Sequence, residues 1–187
     1  MDELLRTDPS KPWTTFHSRA LEHKGCILDL GCSGWDWSRF FFGNKPVIGL
    51  DPQEETEPQG SKLIKAIAGP TDGEITLHGS GDAASVPLAS AGRPRKVQMV
   101  SFESLIQKYS PISILKMNIE GMEYDLLKDL NHPIADQMVI AFHDRRGQLP
   151  SNLTDEIIKK LGQWYESFCT DRKFRWYLFL LREDYRG

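Results

Sequence analysis

Acidic, amide, hydroxyl and glycine residues gather at the ends of a few apolar runs, and these are the positions where the chain could do chemistry. The first run, Cys26-Ile27-Leu28-Asp29-Leu30, ends in Gly31-Cys32-Ser33-Gly34. Gly31 permits a sharp turn and a close backbone approach to a ligand, and Ser33 suits the cap of a helix starting there. A second run, Val47-Ile48-Gly49-Leu50, ends in Asp51-Pro52, and Asp51 follows Asp29 by 22 residues. Nucleotide-binding α/β domains place an acid about 20 residues on, at the end of the second strand, to bind ribose hydroxyls. The competing reading of Asp51 is a turn cap after a plain crossover. A third run, Ile112 to Met117, ends in Asn118-Ile119-Glu120-Gly121-Met122-Glu123. Glu120 could orient a bound group, or could serve only as an acid at a helix start. A fourth, Gln137 to Phe142, ends in His143-Asp144. An imidazole there has a pKa near neutrality and could take a proton; otherwise it is a polar residue of a solvated loop. Ligands of open α/β sheets bind at such strand ends, so the ends of distant runs imply one shared cleft.

The elements that must hold these residues alternate between strands and helices. Strands are expected at about 26–31, 47–51, 62–68, 74–78, 97–100, 112–118, 137–142 and 174–181. Helices are expected at about 13–23, after Ser33 through Trp37, Phe40 and Phe41, at 102–109 and 121–130, and at 154–168, where Thr154-Asp155-Glu156 marks the start. Residues 1–12 read as an irregular arm, and 79–95, rich in Gly, Ser and Ala, as a loop over the cleft. Such alternation predicts an α/β fold with a mostly parallel sheet and right-handed crossovers. No linker or repeat divides the chain, so residues 1–187 read as a single domain.

Asp29-Leu30-Gly31-Cys32-Ser33-Gly34 resembles the S-adenosylmethionine motif of class I methyltransferases. Val97 to Leu105, then Ile114-Leu115-Lys116-Met117-Asn118-Ile119-Glu120-Gly121-Met122-Glu123 and the apolar helix that follows, resemble the FkbM-type methyltransferases, whose pattern is Leu-Lys-Ile-Asp-x-Glu-Gly-x-Glu. The resemblance implies a Rossmann-like class I sheet in a three-layer α/β/α arrangement, here shortened at the C-terminal strands. It implies S-adenosylmethionine as cofactor, with Asp29, Gly31, Cys32, Ser33 and Gly34 around its methionine part. Asp51 would take its ribose, Ala68 and Gly69 would sit near adenine, and Asn118 would also touch it. His143, Glu120 and Asn118 would face the methyl group and the acceptor. The implied reaction is O-methylation of a small molecule or saccharide. Two positions depart from the pattern: Asn118 stands where the family has Asp, and Trp35 where a glycine is frequent. They leave two alternatives open, an FtsJ-type RNA 2'-O-methyltransferase and a catalytically silent binding domain of the same fold. Asn118, Glu120, His143 and Asp144 could ligate a hard divalent ion, but their spacing does not match magnesium-dependent catechol-type O-methyltransferases, and no metal is expected.

Composition narrows the classes further. With 26 acidic against 23 basic residues the net charge is −3, which argues against a nucleic-acid partner. The clusters Arg93-Pro94-Arg95-Lys96 and Arg172-Lys173-Phe174-Arg175 read as solvated loops. Cys26, Cys32 and Cys169 show no Cys-x-x-Cys spacing, which fits a reduced compartment without structural zinc. No apolar run approaches a membrane span, and Met1 to Arg6 lacks the apolar core of a signal peptide. The expected location is the cytoplasm.

Overall fold

Near-continuous apolar runs can be buried on both faces only as central strands, and they take that place here. A computed structural model describes residues 3–77, 94–143 and 152–186. In chain order these form β1 (Leu4–Arg6), β2 (Thr15–His17), α1 (Arg19–Glu22), β3 (Cys26–Leu30), β4 (Val47–Leu50), β5 (Ser61–Ile64), β6 (Ile67–Gly69), β7 (Gly73–Leu77) and β8 (Arg95–Ser101). There follow α2 (Phe102–Tyr109), β9 (Ile112–Met117), α3 (Met122–Leu127), β10 (Gln137–Ala141), α4 (Leu153–Leu161), β11 (Tyr165–Asp171) and β12 (Trp176–Leu181).

The main sheet has seven strands in the order β11-β12-β10-β9-β3-β4-β5. It is mixed: β5, β4, β3, β9 and β10 run parallel, while β12 is antiparallel to both β10 and β11. A second sheet joins β6, β8 and β7, and β1 pairs with β2. One face of the main sheet buries Leu28, Leu30, Leu115 and Met117 with residues of α2, α3 and α4. The opposite face buries Ile27, Val47, Ile114 and Val139 beneath Phe16, Ala20, Trp35, Trp37 and Phe41.

Several expectations are corrected. The C-terminal part is not shortened. α4 ends at Leu161, and Tyr165–Asp171 is a strand rather than the end of a helix. That strand buries only Tyr165, whose hydroxyl accepts from the Ile134 amide at 2.9 Å and donates to the Ala135 carbonyl at 3.0 Å. The segment 62–68 is two strands in two sheets, because the chain turns tightly where Ala66 N–H donates to the Ile64 carbonyl at 2.8 Å. No helix forms after Ser33. Gly34 and Trp35 both take left-handed φ values, 66° and 56°, which a right-handed helix cannot contain. The chain instead makes 3-10 turns at Ser33–Trp35 and Ser38–Phe41. This face of the expected α/β/α sandwich is therefore covered by turns, the β1–β2 strand pair and the four-residue α1.

The arm and first helix are also revised: β1 and β2 form a hairpin, and β2 is clamped by Gln137. The Gln137 amide donates to the His17 carbonyl and accepts from the His17 N–H, each at 2.9 Å. Arg95 and Lys96 lie within β8 rather than in a loop. Most of the expected loop over the cleft, Arg93, and Asp144 lie outside the described residues.

Candidate functional site

Parallel pairing of β3 with β9 puts Asp29 beside Lys116 and Leu30 beside Met117, so the first and third strand-end motifs emerge together. The Asn118 N–H donates to the Leu30 carbonyl at 3.0 Å, and the Gly31 N–H to the Leu50 carbonyl at 2.8 Å. Gly31 has φ of +83°, and a Cβ there would meet the Asn118 carbonyl oxygen at 2.1 Å. The glycine is thus required by the meeting of two backbones, in addition to any approach of a ligand.

Asp29 and Lys116 lie on the same face of the sheet. Asp29 is fully buried and Lys116 is 4 % exposed. Their ion pair measures 2.8 Å from Nζ to Oδ1, and the Lys116 ammonium also donates to the Gly31 carbonyl. Beyond this ion pair, neither carboxylate oxygen of Asp29 has a hydrogen-bond partner, and both are buried. A buried charge in this state is costly unless something adjacent satisfies it.

Asp51 ends β4 and accepts through Oδ1 from the N–H of Gln53 at 2.7 Å and of Glu54 at 3.2 Å. It therefore caps a turn while still facing the cleft. Glu54 reaches back and accepts from the Gly34 N–H at 2.6 Å. Its other oxygen accepts from Thr56, and that side-chain hydrogen bond is the main reason its carboxyl is held below the ordinary range. The Trp35 indole donates to the Thr56 carbonyl at 3.0 Å and lies over Gly49, where a Cβ would meet Trp35 Cζ3 and Cη2 at 2.4 Å. The departure at Trp35 is therefore a packed feature: a left-handed tryptophan closes the glycine loop, and Gly49 leaves room for its ring.

Glu120 and Gly121 also take left-handed φ, 54° and 100°. For a non-glycine residue this costs of order 1–3 kcal/mol and persists only where neighbours enforce it. The enforcing group is Glu123, which is fully buried. Its carboxylate accepts from the N–H of Ile119 at 3.0 Å and of Gly121 at 2.7 Å. It also bonds His143 Nδ1 at 2.9 Å, while His143 Nε2 lies 3.6 Å from Glu120 Oε1. Burial alone would lower the His143 pKa. The hydrogen bond to Glu123, with the charges of Glu123 and Glu120, outweighs that and leaves the pKa raised.

A cavity of about 410 Å³ opens at these strand ends, within the usual range for small-molecule sites. Of the residues expected to hold a ligand, Asp29, Gly31, Cys32, Ser33, Asp51, Ala68, Asn118 and Glu120 all line it. Gly34, Gly69 and His143 are not among its lining residues. Gly34 is tied to Glu54, Gly69 makes room for Met99, whose Sδ would lie 2.2 Å from an added Cβ, and His143 stands behind Glu120. Cys32 is a neutral thiol, its pKa pushed far up by burial and then by the charge of Asp29. Sequence reasoning missed Lys116, Lys11 and Trp13, which line the cavity, and Glu123 and Glu54, which hold the turns around it through backbone N–H groups. A lone lysine inside an apolar strand was a usable signal for Lys116, because it demands a buried partner. Among the described residues, no group of three or more His, Cys, Asp or Glu is placed to hold a metal ion. No helix among them is long and apolar enough to cross a membrane.

The Methyltransferase FkbM domain family matches residues 38–175. No curated protein matches the chain. The crystal structure of methyltransferase FkbM from Methylobacillus flagellatus KT is similar in fold, with a TM-score of 0.50 at 16% identity. That similarity covers 84% of the present chain, which spans 43% of the other's length. With the family pattern extending over most of its length, the chain belongs to the FkbM methyltransferase family.

Proposed function

We propose that this protein is an S-adenosylmethionine-dependent methyltransferase with a Rossmann-like class I sheet, transferring a methyl group to a hydroxyl of a small molecule or saccharide. The observation that carries this reading is the cavity at the β3–β9 junction. There the parallel strand order reverses, with β4 and β5 on one side and β9 and β10 on the other, which is where open α/β sheets bind nucleotides. Its lining fits the cofactor. The buried Asp29 carboxylate adds negative charge behind the wall, Gly31–Ser33 supply a turn of backbone, and Asp51 stands at the second strand end, the position at which nucleotide-binding α/β folds hold a ribose.

S-adenosylmethionine supplies an electrophilic methyl when bound. The chain's own residues align the acceptor and handle its proton. Glu120 presents a carboxylate to the cavity from its enforced turn. With Nδ1–H directed at Glu123, His143 Nε2 is a proton acceptor beside Glu120. The acceptor hydroxyl gives its proton to this Glu120–His143 pair as its oxygen becomes the nucleophile. Asn118, uncharged where the family has Asp, lines the same wall as a hydrogen-bonding group.

Calorimetry with S-adenosylhomocysteine should show binding, and Asp51→Ala should weaken it by about 1–3 kcal/mol. Binding of NAD in its place, or no nucleoside binding at all, would overturn the reading.

A further inference from the structure

We infer that the methyl acceptor is an anionic saccharide, held at the mouth of the cavity on a shelf formed by Trp13 and Phe174 and fringed by Arg172 and Lys173. This rests on the methyltransferase reading above and narrows its acceptor. The turn between β11 and β12 carries the basic cluster Arg172-Lys173-Phe174-Arg175. Antiparallel pairing puts Trp176, the first residue of β12, beside Ala141 at the end of β10. The Phe142 N–H then donates to the Arg175 carbonyl at 3.1 Å. The turn therefore stands at the sheet edge from which His143 emerges. Its shape is held from both ends. Asp171 Oδ1 accepts from the Phe174 N–H at 3.1 Å, and the Arg175 guanidinium donates to the Thr154 hydroxyl. Phe174 is 51 % exposed, yet its ring packs edge-on against Trp13, with centroids 5.8 Å apart. Trp13 in turn lines the cavity. Two aromatic rings thus make a continuous step from the cavity wall to the surface, and exposed apolar surface that continues a cavity marks a place for a ligand to lie.

The charge beside this step is one-sided. Lys173 Nζ lies 5.0 Å from the Phe174 ring centroid. Arg172 and Lys173 are exposed, and neither makes an ion pair among the described residues. The carboxylates around the rim are already engaged: Asp8 with Lys11, Asp36 with Arg39, and Asp171 with the Phe174 N–H. An apolar acceptor would cover the rings and leave the cations unmatched. A small anion would meet the cations and leave the rings bare. A pyranose lays its C–H face on an aromatic ring and turns its hydroxyls outward from the ring edge, where one can reach the methyl group. A carboxylate or phosphate on the same sugar meets Arg172 and Lys173 in charge-assisted hydrogen bonds. Uronates and sugar phosphates share this chemistry.

The test is an NMR titration of the protein saturated with S-adenosylhomocysteine, using methyl β-D-glucoside, methyl β-D-glucuronide and glucose 6-phosphate as probes. Wild-type protein should bind at least one charged sugar about 5- to 10-fold more tightly than the glucoside. Which of the two it prefers identifies carboxylate or phosphate as the source of the charge. In Arg172→Gln/Lys173→Gln, at two exposed positions outside the cavity, that preference should vanish while glucoside affinity stays within about 2-fold. In Phe174→Ala all three probes should weaken together, by about 3- to 10-fold. Neither variant should change S-adenosylhomocysteine affinity by more than about 2-fold; a larger loss would assign the shelf to the cofactor and overturn the inference. So would equal binding of the neutral and charged sugars by the wild type, binding of none of the three, or a preference that survives the double substitution, each leaving the methyltransferase reading in place. Failure of the wild type to bind S-adenosylhomocysteine would remove that reading, and the inference with it.

Discussion

Glu123 shows how one buried side chain can set the state of two others. It holds the left-handed turn at Glu120 through two backbone N–H groups and holds the imidazole of His143 through Nδ1. The His143 pKa is raised from 6.5, so folded protein binds that proton more tightly than unfolded protein does. The resulting stability is complete below about pH 6.5 and is lost as pH rises through the higher folded-state value. Denaturant midpoints should therefore fall between about pH 6 and pH 8 in the wild type, and Glu123→Gln should flatten that part of the profile. The same variant should lower stability by about 1–3 kcal/mol at all pH values, since a glutamine amide turns a donor toward donors. A variant whose pH profile runs parallel to the wild type would assign the raised pKa to another cause. Residue types that chemistry demands were legible in sequence: Asp29, Asp51, Asn118 and Glu120 all reach the cavity. Glu123 was visible as part of a pattern but not as a clamp, because its partners are fixed by a chain reversal that spacing does not encode. His143 was placed at the correct strand end, yet it reaches the cavity only through Glu120.

At the scale of elements, strand existence was easier to read than strand membership. The runs at β3, β4, β9 and β10 are largely apolar, with Asp29, Ser113, Lys116 and Gln137 the exceptions, and read as buried strands. β11 escaped notice because its residues from Glu166 to Cys169 are exposed and carry no core periodicity; it exists through pairing with β12. Helical spacing of Trp37, Phe40 and Phe41 misled for a different reason. Local periodicity was overridden where Gly34 and Trp35 turn left-handed to put the indole over β4. That packing makes a specific prediction about how the glycine loop is shaped. Gly49→Ala should destabilise the protein by about 1–3 kcal/mol, the usual cost of overpacking a filled core. In a Trp35→Gly background the same change should cost much less, because the added methyl meets Trp35 and Cys32 Sγ in the intact protein. Additive effects in a double-mutant cycle of thermal unfolding would mean that the two positions do not share this space.

The cavity belongs to no single element. Its wall takes Lys11, Trp13 and Thr14 from the turn before β2, Asp29–Ser33 and Leu50–Gln53 from the ends of β3 and β4, Asp36 and Trp37 from the turns after β3, Ala66–Ala68 and Leu77 from around the three-stranded sheet, and Lys116, Asn118, Ile119, Glu120 and Met122 from the third motif. The main sheet, the three-stranded sheet and the turn before β2 all contribute to this wall, while α4 and β11 contribute no lining residue. A ligand that binds only the folded form stabilises by mass action, about 2.7 kcal/mol at a hundredfold excess over Kd. In a domain of this size that corresponds to a rise in Tm of roughly 5–10 °C. The distribution of the protection is more telling than its size. Local openings of the contributing segments differ in free energy, and a ligand suppresses those openings that break its own contacts. Adding S-adenosylhomocysteine should therefore slow amide hydrogen exchange together at 12–14, 29–33, 51–54, 66–68 and 118–121, with α4 and β11 scarcely changed. Protection confined to β3, β4 and β9 would remove the N-terminal turn and the three-stranded sheet from the site. It would leave the walls that distinguish this cavity from a bare sheet edge without a role in holding the cofactor.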